Sequence, residues 1–362
     1  MNRNRRIYRC IMSNLRQLYP KRLTGRQVRH LNTLTAMMSG IVQSQACHLE
    51  KIARKLTDKT QVESRIKRFT RFNQNQQVDA ETYYIPFLEP LIAALVNSSG
   101  SITLAMDGSE TGCGCTTLMV SLIYKKRALP IAWQTVVGNK GHLPEETHVA
   151  LFKRVQKLFP KSCHLVFLGD GEFDGINLQA AIKDAGWEYV CRTACNRIIT
   201  DGGDEFALSE IGLVEGERID MPDVQITRKQ YGPVLVIAWW CAGYVDPIYL
   251  VTNMACVDEA CHWYRRRFLI ETFFSDQKSR GFNLQRSHLR NPDRIDRFLM
   301  ATCLAYIWMI YLGVKVHKNK AELRMFHRAN RCDLSLFQLG LRYLEYLLNQ
   351  ERPLPFGLTL PA

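Results

Sequence analysis

Acidic residues are scarce at the amino-terminal end of this sequence. The first 49 residues contain nine Lys and Arg but no Asp or Glu. Residues 1–98 carry 17 basic against 6 acidic side chains, whereas the remainder carries 31 against 28, so most of the net charge of +14 lies near the amino terminus. A basic surface attracts phosphate without reading its sequence. This asymmetry predicts a nucleic-acid-binding head on a nearly neutral body, with a merely solvated basic surface as the alternative.

The twelve cysteines also lack metal-binding spacing. They include no C-x-x-C pair, which disfavours structural zinc. Several lie in apolar runs, for example Cys163, Cys191, Cys241 and Cys303, where a free thiol behaves as a small hydrophobe. The pattern does not resemble a disulfide framework, and it indicates a reducing compartment.

Long hydrophobic runs are rare as well. No apolar segment follows the basic amino terminus, so no secretory signal is expected. Phe298 to Val314 is 17 residues without a charge, which is at the short limit for a membrane span. It contains Thr302 and Cys303 and follows the polar segment Pro292–Arg294. We predict a helix buried against a sheet rather than a membrane span.

Hydrophobic spacing divides the chain at a polar break, residues 97–100. Before it, Leu31, Leu34, Met38 and Ile41 recur at helical spacing. After it, the pattern predicts strands at 102–106, 116–124 and 128–137, a helix at 144–159, a strand at 164–168, a helix at 175–185 and a strand at 187–192. This order resembles that of the RNase H-like fold, in which the first and fourth strands are neighbours.

Two acids follow the strands that should be neighbours. Asp107 comes after the first strand and Asp170 after the fourth, so their carboxylates would be close enough to share metal ions. Residues 194–255 then interrupt the pattern with turn residues, acids and two apolar runs, which predicts a mostly β insertion. From about Glu259 the chain reads as helical again.

A basic segment before the break interleaves cations with aromatic residues. Ile66, Phe69 and Phe72 fall at every third position, so they should form one buried stripe. The basic residues between them should then face outward, where they would suit DNA phosphates: Arg65, Lys67, Arg68 and Arg71. A solvated basic helix is the alternative.

Residues 264–278 place a carboxylate among cations. On a helix turning about 100° per residue, Tyr264, Arg267, Glu271 and Lys278 lie within about 40° of one another. An exposed salt bridge between Arg267 and Glu271 would be the simpler explanation.

The same four residues match a known signature without a gap. Tyr264-x2-Arg267-x3-Glu271-x6-Lys278 is similar to the Y-R-E-K signature of the insertion-sequence-four group of DDE transposases, and the chain resembles that group over residues 60–315. The resemblance implies an α/β protein: an RNase H-like core with a mixed five-stranded sheet and flanking helices at 99–193 and 256–315. A β-rich insertion at 194–255, a helical DNA-binding domain at 1–98 and a helical carboxy-terminal region at 316–362 would complete it.

The resemblance also implies a function, that of a cut-and-paste transposase in the bacterial cytoplasm, associated with the nucleoid and not with a membrane. Asp107, Asp170 and Glu271 would hold two Mg²⁺ ions, for which Mn²⁺ could substitute. Tyr264, Arg267 and Lys278 would contact DNA phosphates. The expected partners are double-stranded DNA, as terminal inverted repeats and target, and a second copy in a paired-end dimer.

The sequence departs from the group in one respect and leaves another open. Gly171 follows Asp170 where the group often has Arg. The group stacks a flipped base on an aromatic residue of its insertion, for which the candidates here are Tyr249, Trp239, Trp240 and Trp263. An RNase H-like nuclease or resolvase, and a DNA-binding relic without activity, are the alternative functions.

Overall fold

The chain folds around a single ten-stranded sheet that is flanked by helices. The computed structural model describes residues 2–20, 22–98, 100–112, 114–141, 143–327 and 333–360. Ser99, inside the predicted boundary, lies outside the described residues. None of the ten cysteines in the described part of the chain forms a disulfide.

The chain before the sheet is helical, as the hydrophobic spacing predicted. Its helices are α1 (Arg3–Leu18), α2 (Gly25–Ser44), α3 (Leu49–Arg54), α4 (Val62–Gln74), α5 (Ala80–Tyr83) and α6 (Ile85–Ser98). Helix α2 begins with a capping box, in which Thr24 and Gln27 satisfy each other's backbone amides. The four apolar residues at helical spacing in α2 are all fully buried.

Five strands and two helices follow in the predicted order. They are β1 (Ile102–Gly112), β2 (Cys115–Tyr124), β3 (Arg127–Val137), α7 (Glu145–Gln156), β4 (Leu165–Gly169), α8 (Ile176–Asp184) and β5 (Glu188–Thr193). The strands lie in the order β3-β2-β1-β4-β5. Strand β1 pairs antiparallel with β2 and parallel with β4, which in turn is parallel to β5. The predicted adjacency of the first and fourth strands is therefore confirmed.

The register between β1 and β4 sets the positions of the two acids. Ala105 pairs with Leu168, so Asp107 and Asp170 both come two residues after the same rung. Neighbouring strands lie about 4.8 Å apart, which brings the two residues side by side. The sequence placed the end of β1 at Met106, but the strand continues to Gly112 through its pairing with β2.

The predicted β insertion extends this sheet. Its strands are β6 (Ile198–Asp201), β7 (Asp204–Ala207), β8 (Arg218–Ile226), β9 (Tyr231–Trp239) and β10 (Ile248–Thr252). Strand β10 pairs antiparallel with β5, and the order continues as β10-β9-β8-β6-β7. The insertion is therefore joined to the five-stranded part by backbone hydrogen bonds.

The remaining helices are α9 (Val257–Tyr264), α10 (Leu269–Gln277), α11 (Pro292–Lys318), α12 (Lys320–Leu323) and α13 (Leu336–Asn349). Helix α11 is long and apolar enough to cross a membrane, yet 89% of its most apolar 18-residue window is buried inside the protein. It packs against β3, α2, α4 and α13. The prediction of a buried helix is confirmed.

A single hydrophobic cluster extends from Ile7 in α1 to Leu360 near the carboxy terminus. The amino-terminal helices join it through α2 and α4, which pack on α11. Arg297 of α11 strengthens this contact by donating to the carbonyls of Asn73 and Val78 at 3.1 Å each. The division into domains at 1–98, 99–193 with 256–315, 194–255 and 316–362 stays a prediction.

The contact between α11 and β3 includes a partly buried acid, Asp296. Asp296 accepts a 2.9 Å hydrogen bond from the backbone amide of Thr135, and its own carbonyl accepts one from the Trp133 indole. Burial raises the pKa of Asp296 to about 7, although the hydrogen bonds from Thr135 oppose the rise.

This raised pKa predicts a pH-dependent stability. Between the ordinary Asp pKa of about 4 and about 7, the folded protein keeps a proton that the unfolded chain has released. Its free energy of unfolding should therefore fall as the pH rises through this window. Asp296→Asn keeps the acceptor for Thr135 without the titration, so it should be more stable than wild type at pH 8 by about 1–3 kcal/mol. Urea denaturation at several pH values measures this, and parallel curves for the two proteins would contradict it.

Candidate active site

Three acids surround one buried guanidinium. Arg267 Nη1 lies 4.0 Å from Oδ2 of Asp107 and 4.0 Å from Oδ2 of Asp170, while Nη2 donates to Glu271 Oε1 at 3.3 Å. The Arg267 side chain is only 7% exposed. The structure therefore brings together the three acids that the sequence singled out, although they lie in three separate elements.

Local backbone structure fixes the two aspartates. Asp107 lies within β1, and its Oδ1 accepts from the Gly108 amide at 2.7 Å. Asp170 follows β4 and caps a single 3-10 turn at Gly171–Phe173, where its Oδ1 accepts from the Glu172 amide at 3.0 Å. Both carboxylates lie near the Arg267 guanidinium.

The electrostatics of Asp107 reflect its burial among other charges. Burial raises its pKa, Lys140 and Arg267 oppose the rise, and the charge of Asp170 adds to it, so the net shift is upward. Lys140 Nζ lies 2.7 Å from Asp107 Oδ1. A pair of neighbouring carboxylates needs positive charge to remain ionised, and here Lys140 and Arg267 provide it.

The single helix predicted across residues 264–278 is broken in the structure. The prediction that Tyr264, Arg267, Glu271 and Lys278 lie on one face of that helix is therefore wrong. Helix α9 ends at Tyr264 and α10 begins at Leu269. The backbone amides of five residues here donate to carbonyls three residues back: Arg266, Arg267, Leu269, Ile270 and Glu271. This tighter winding does not keep the 100° spacing of an α-helix. Lys278 has left the helix, with ψ at −129°.

The break changes what two signature residues can contact. Tyr264 is 2% exposed, and the Arg267 guanidinium lies 6.0 Å from its ring centroid. Both side chains are almost completely buried. Arg267 binds the acids, and Tyr264 packs behind it.

Two cavities flank this group. The larger, about 840 Å³, is lined by Asp170, Arg267, Tyr249 and Lys140 among others. The smaller, about 290 Å³, is lined by Asp107, Glu271, Lys278 and again Lys140. Lys278 therefore faces the acids despite the broken helix, and Lys140 lies between the two cavities.

Sequence reasoning missed Lys140. It lies in the turn between β3 and α7, where Gly138 and Gly141 both adopt positive φ. No hydrophobic periodicity marks such a turn. The available signal was a cation flanked by glycines, shortly after a predicted strand.

The four stacking candidates occupy different places. Tyr249 lies on β10, is 7% exposed and lines the larger cavity. Trp239 is covered by the Arg265 guanidinium at 4.9 Å, and Trp240 donates to the Tyr244 carbonyl. Trp263 lines a separate cavity beside Arg266. Of these four, Tyr249 alone borders the cavity that contains Asp170.

A further aromatic residue was also missed. Tyr244 is 50% exposed and Val245 is 89% exposed, in the loop between β9 and β10. The next residues of this loop, Asp246 and Pro247, line the larger cavity. An exposed tyrosine therefore lies close along the chain to that cavity.

Helix α4 corrects the prediction for Arg65. Its side chain is buried, donating to the carbonyls of Ala53 and Leu56 at 3.1 and 3.0 Å and to the Asp58 carboxylate at 2.6 Å. It therefore packs against the end of α3 and the residues that follow it, and does not face outward.

The other basic residues of α4 have different surroundings. Lys67 and Arg71 are exposed, while Arg68 pairs with Asp58 at 3.4 Å. In the predicted apolar stripe, Phe69 and Phe72 are buried and Ile66 is only partly so.

Acids and positive charge share this site without a compact ligand cluster. Among the residues that the structure describes, no group of three or more His, Cys, Asp and Glu side chains is placed to hold a metal ion. Glu271 is the outlying member, with a side chain that is 56% exposed.

The contrast within α4 is testable. Arg65→Ala should lower the free energy of unfolding by about 2–4 kcal/mol, because removal of this buried charged donor leaves its acceptors unpaired. Lys67→Ala should change it by less than about 0.5 kcal/mol, yet weaken DNA binding and reduce its salt dependence by about one phosphate contact. Urea denaturation and DNA titrations at several salt concentrations measure both. An Arg65→Ala protein that is as stable as the Lys67→Ala protein would contradict the structural role of Arg65.

Comparisons with known proteins bear on these residues. A family model described as the transposase DDE domain matches residues 108–308, which include Asp170 and Glu271 and begin one residue after Asp107. No curated protein matches the chain. One solved structure that it resembles is the cryo-EM structure of the piggyBac transposase synaptic complex with hairpin DNA, at 11% identity and a TM-score of 0.44, over 97% of this chain and 83% of that one. Because the family model covers more than half of the chain's 362 residues, the chain belongs to the DDE transposase family.

Proposed function

We propose that this protein cleaves DNA at the terminal inverted repeats of its own insertion sequence and joins the freed ends to target DNA. The convergence of Asp107, Asp170 and Glu271 on the Arg267 guanidinium carries this proposal. Metal-assisted phosphoryl transfer needs several oxygen ligands at one place, and here three acids from separate elements of the fold meet at Arg267.

The catalytic core is proposed to be RNase H-like. The order β3-β2-β1-β4-β5, with β1, β4 and β5 parallel and with antiparallel pairing of β2 to both β1 and β3, supports this assignment. The Y-R-E-K residues support membership in the insertion-sequence-four group, with the qualification that Tyr264 is buried behind Arg267.

DDE transposases generally use divalent metal ions, and the donor chemistry of this site fits them. Its acids offer only oxygen atoms, which Mg²⁺ and Mn²⁺ prefer, and Asp107 and Asp170 already face a shared positive charge. We assign Asp107, Asp170 and Glu271 as ligands of two Mg²⁺ ions, replaceable by Mn²⁺. Bound there, such ions would activate the attacking oxygen and stabilise the leaving one.

The protein's own groups would bind and orient the DNA. Lys278, in the cavity with Asp107 and Glu271, is placed to bind a phosphate near the acids. Arg267 would hold the acids in position. Tyr249 or the exposed Tyr244 would stack on a displaced base, and Lys67 and Arg71 would contact the duplex farther away.

The proposed reaction begins with a nick at the end of the element. The freed 3′-OH attacks the phosphodiester of the opposite strand, which forms a hairpin and releases the flanking strand. Water reopens the hairpin. The regenerated 3′-OH then attacks a phosphodiester of the target DNA, forms the new phosphodiester and releases a 3′-OH of the target strand. Two copies of the chain would hold the paired ends.

Cleavage of the native flanks tests this function. The protein is incubated with MgCl₂ and a plasmid that carries its gene within its own flanking DNA, beside Asp170→Ala, Glu271→Gln and the control Glu110→Gln. Glu110 lines the same cavity as Glu271 but is not assigned as a ligand. Loss of one transition-state contact costs about 10²–10³ in rate, so loss of a metal ligand should cost at least as much and spare DNA binding.

Breaks at inverted repeats made by wild type and Glu110→Gln, but by neither of the other variants, would support the transposase. Breaks without joining to a second DNA would favour the nuclease or resolvase. Specific binding of the flanks without any break would favour the inactive relic. Retained Mg²⁺-dependent cutting by Asp170→Ala would contradict the assignment of that acid.

A further inference from the structure

Lys140 reaches into the acid group from an otherwise exposed turn. Its Nζ lies 2.7 Å from Asp107 Oδ1, while 45% of its side chain remains exposed. It borders both cavities. A lysine has a flexible four-carbon stem, so this ammonium group can turn outward without a change in the backbone.

The backbone on one side of Lys140 is fixed to β2. The Gly138 amide donates to the Gly114 carbonyl at 3.1 Å, and the Gly138 carbonyl accepts from the Thr116 hydroxyl at 2.7 Å. Gly138 has φ at +141°, a backbone conformation that favours glycine.

The backbone on the other side is fixed by Glu172. Its carboxylate accepts from the amides of Gly141 and Leu143 at 3.2 and 3.4 Å. Glu172 is itself 8% exposed and lies 3.8 Å from the Nε2 of buried His148. It belongs to the turn that Asp170 caps, so the placement of Lys140 depends on the segment that carries the second acid.

The charges around Lys140 keep it protonated. Burial lowers its pKa, but Asp107, Asp170 and Glu172 together raise it further, so the net shift is upward. Asp107 Oδ1 thus receives both Lys140 and the Gly108 amide, while Oδ2 faces Arg267. Lys140 makes the closest charged contact to this acid, so a divalent ion that binds at Oδ1 competes with its ammonium group.

We propose that Lys140 occupies Asp107 until DNA is bound, and that it then pairs with a DNA phosphate and leaves Asp107 free for the metal. This inference rests on the metal site assigned above. A phosphate that draws Lys140 away from Asp107 makes that carboxylate available to the metal, so DNA and metal favour each other's binding. Glu172 is the positioning residue that holds the turn.

Metal binding without DNA tests this directly. MnCl₂ is titrated calorimetrically into the full-length wild type, Lys140→Gln, Lys140→Arg and the control Lys126→Gln, which removes an exposed charge at the turn between β2 and β3. Couplings of this kind are typically about 5–150-fold, so Lys140→Gln should bind Mn²⁺ at least about fivefold more tightly. Lys140→Arg and Lys126→Gln should resemble wild type.

The same titration with a duplex taken from the DNA flanking this gene tests the transfer to phosphate. Wild type should bind Mn²⁺ more tightly when the duplex is present, and Lys140→Gln should lose most of this gain. Glu172→Ala should shift Mn²⁺ affinity in the same direction as Lys140→Gln, and Glu172→Gln, which keeps an acceptor oxygen, should restore it. Thermal denaturation confirms that each variant is folded.

Equal Mn²⁺ affinities for Lys140→Gln, Lys126→Gln and wild type would overturn the inference, even if wild type cleaves its plasmid. A duplex that tightens Mn²⁺ binding equally in wild type and Lys140→Gln would also overturn it. Tighter Mn²⁺ binding by Lys140→Gln, with loss of the duplex effect, would support it even if no plasmid were cleaved. In that case the proposed transposition alone would fail.

Discussion

The pairing of Arg267 with three carboxylates is the interaction on which the rest of this site depends. Parallel pairing of β1 with β4 brings Asp107 and Asp170 to the same level of the sheet. Two neighbouring carboxylates repel each other, and Asp107 is almost completely buried. The guanidinium between them offsets that repulsion, and the break between α9 and α10 is what brings it there. Glu271, one helical turn later, completes the group from outside.

Buried charges are stable only when they are paired and hydrogen-bonded. This chain meets that requirement at Asp107 with two cations of different character. Arg267 is buried and has rings of Tyr264 and Phe268 against it, so it is a fixed part of the core. Lys140 is half exposed and projects from a turn that is flanked by glycines. Because of this difference, the proposal is that Lys140 moves from Asp107 to a DNA phosphate, whereas Arg267 stays in place beside the acids.

The sequence predicted those features that follow from local pattern. The order of strands and helices resembles that of the RNase H-like fold, and this resemblance predicted that β1 lies beside β4, with an acid at the end of each. The spacing of Arg267 and Glu271 correctly predicted their contact. Features that depend on tertiary contacts were missed. The tight turn at 265–268 has no glycine or proline to mark it, Arg65 is drawn inward by carbonyls at the end of α3, and β10 joins β5 across a separation of more than fifty residues. Lys140 acquires its role only from a neighbouring strand and from Glu172.

The most direct measurement of the central claim is a crystal structure of the protein bound to a duplex taken from the DNA flanking its gene and soaked in MnCl₂, with manganese located by its anomalous signal. If Asp107, Asp170 and Glu271 form the catalytic metal site, manganese will lie against the Asp107 and Asp170 carboxylates, with Lys140 withdrawn from Asp107. Manganese found only elsewhere, with Lys140 and Arg267 still paired to these acids, would contradict the account.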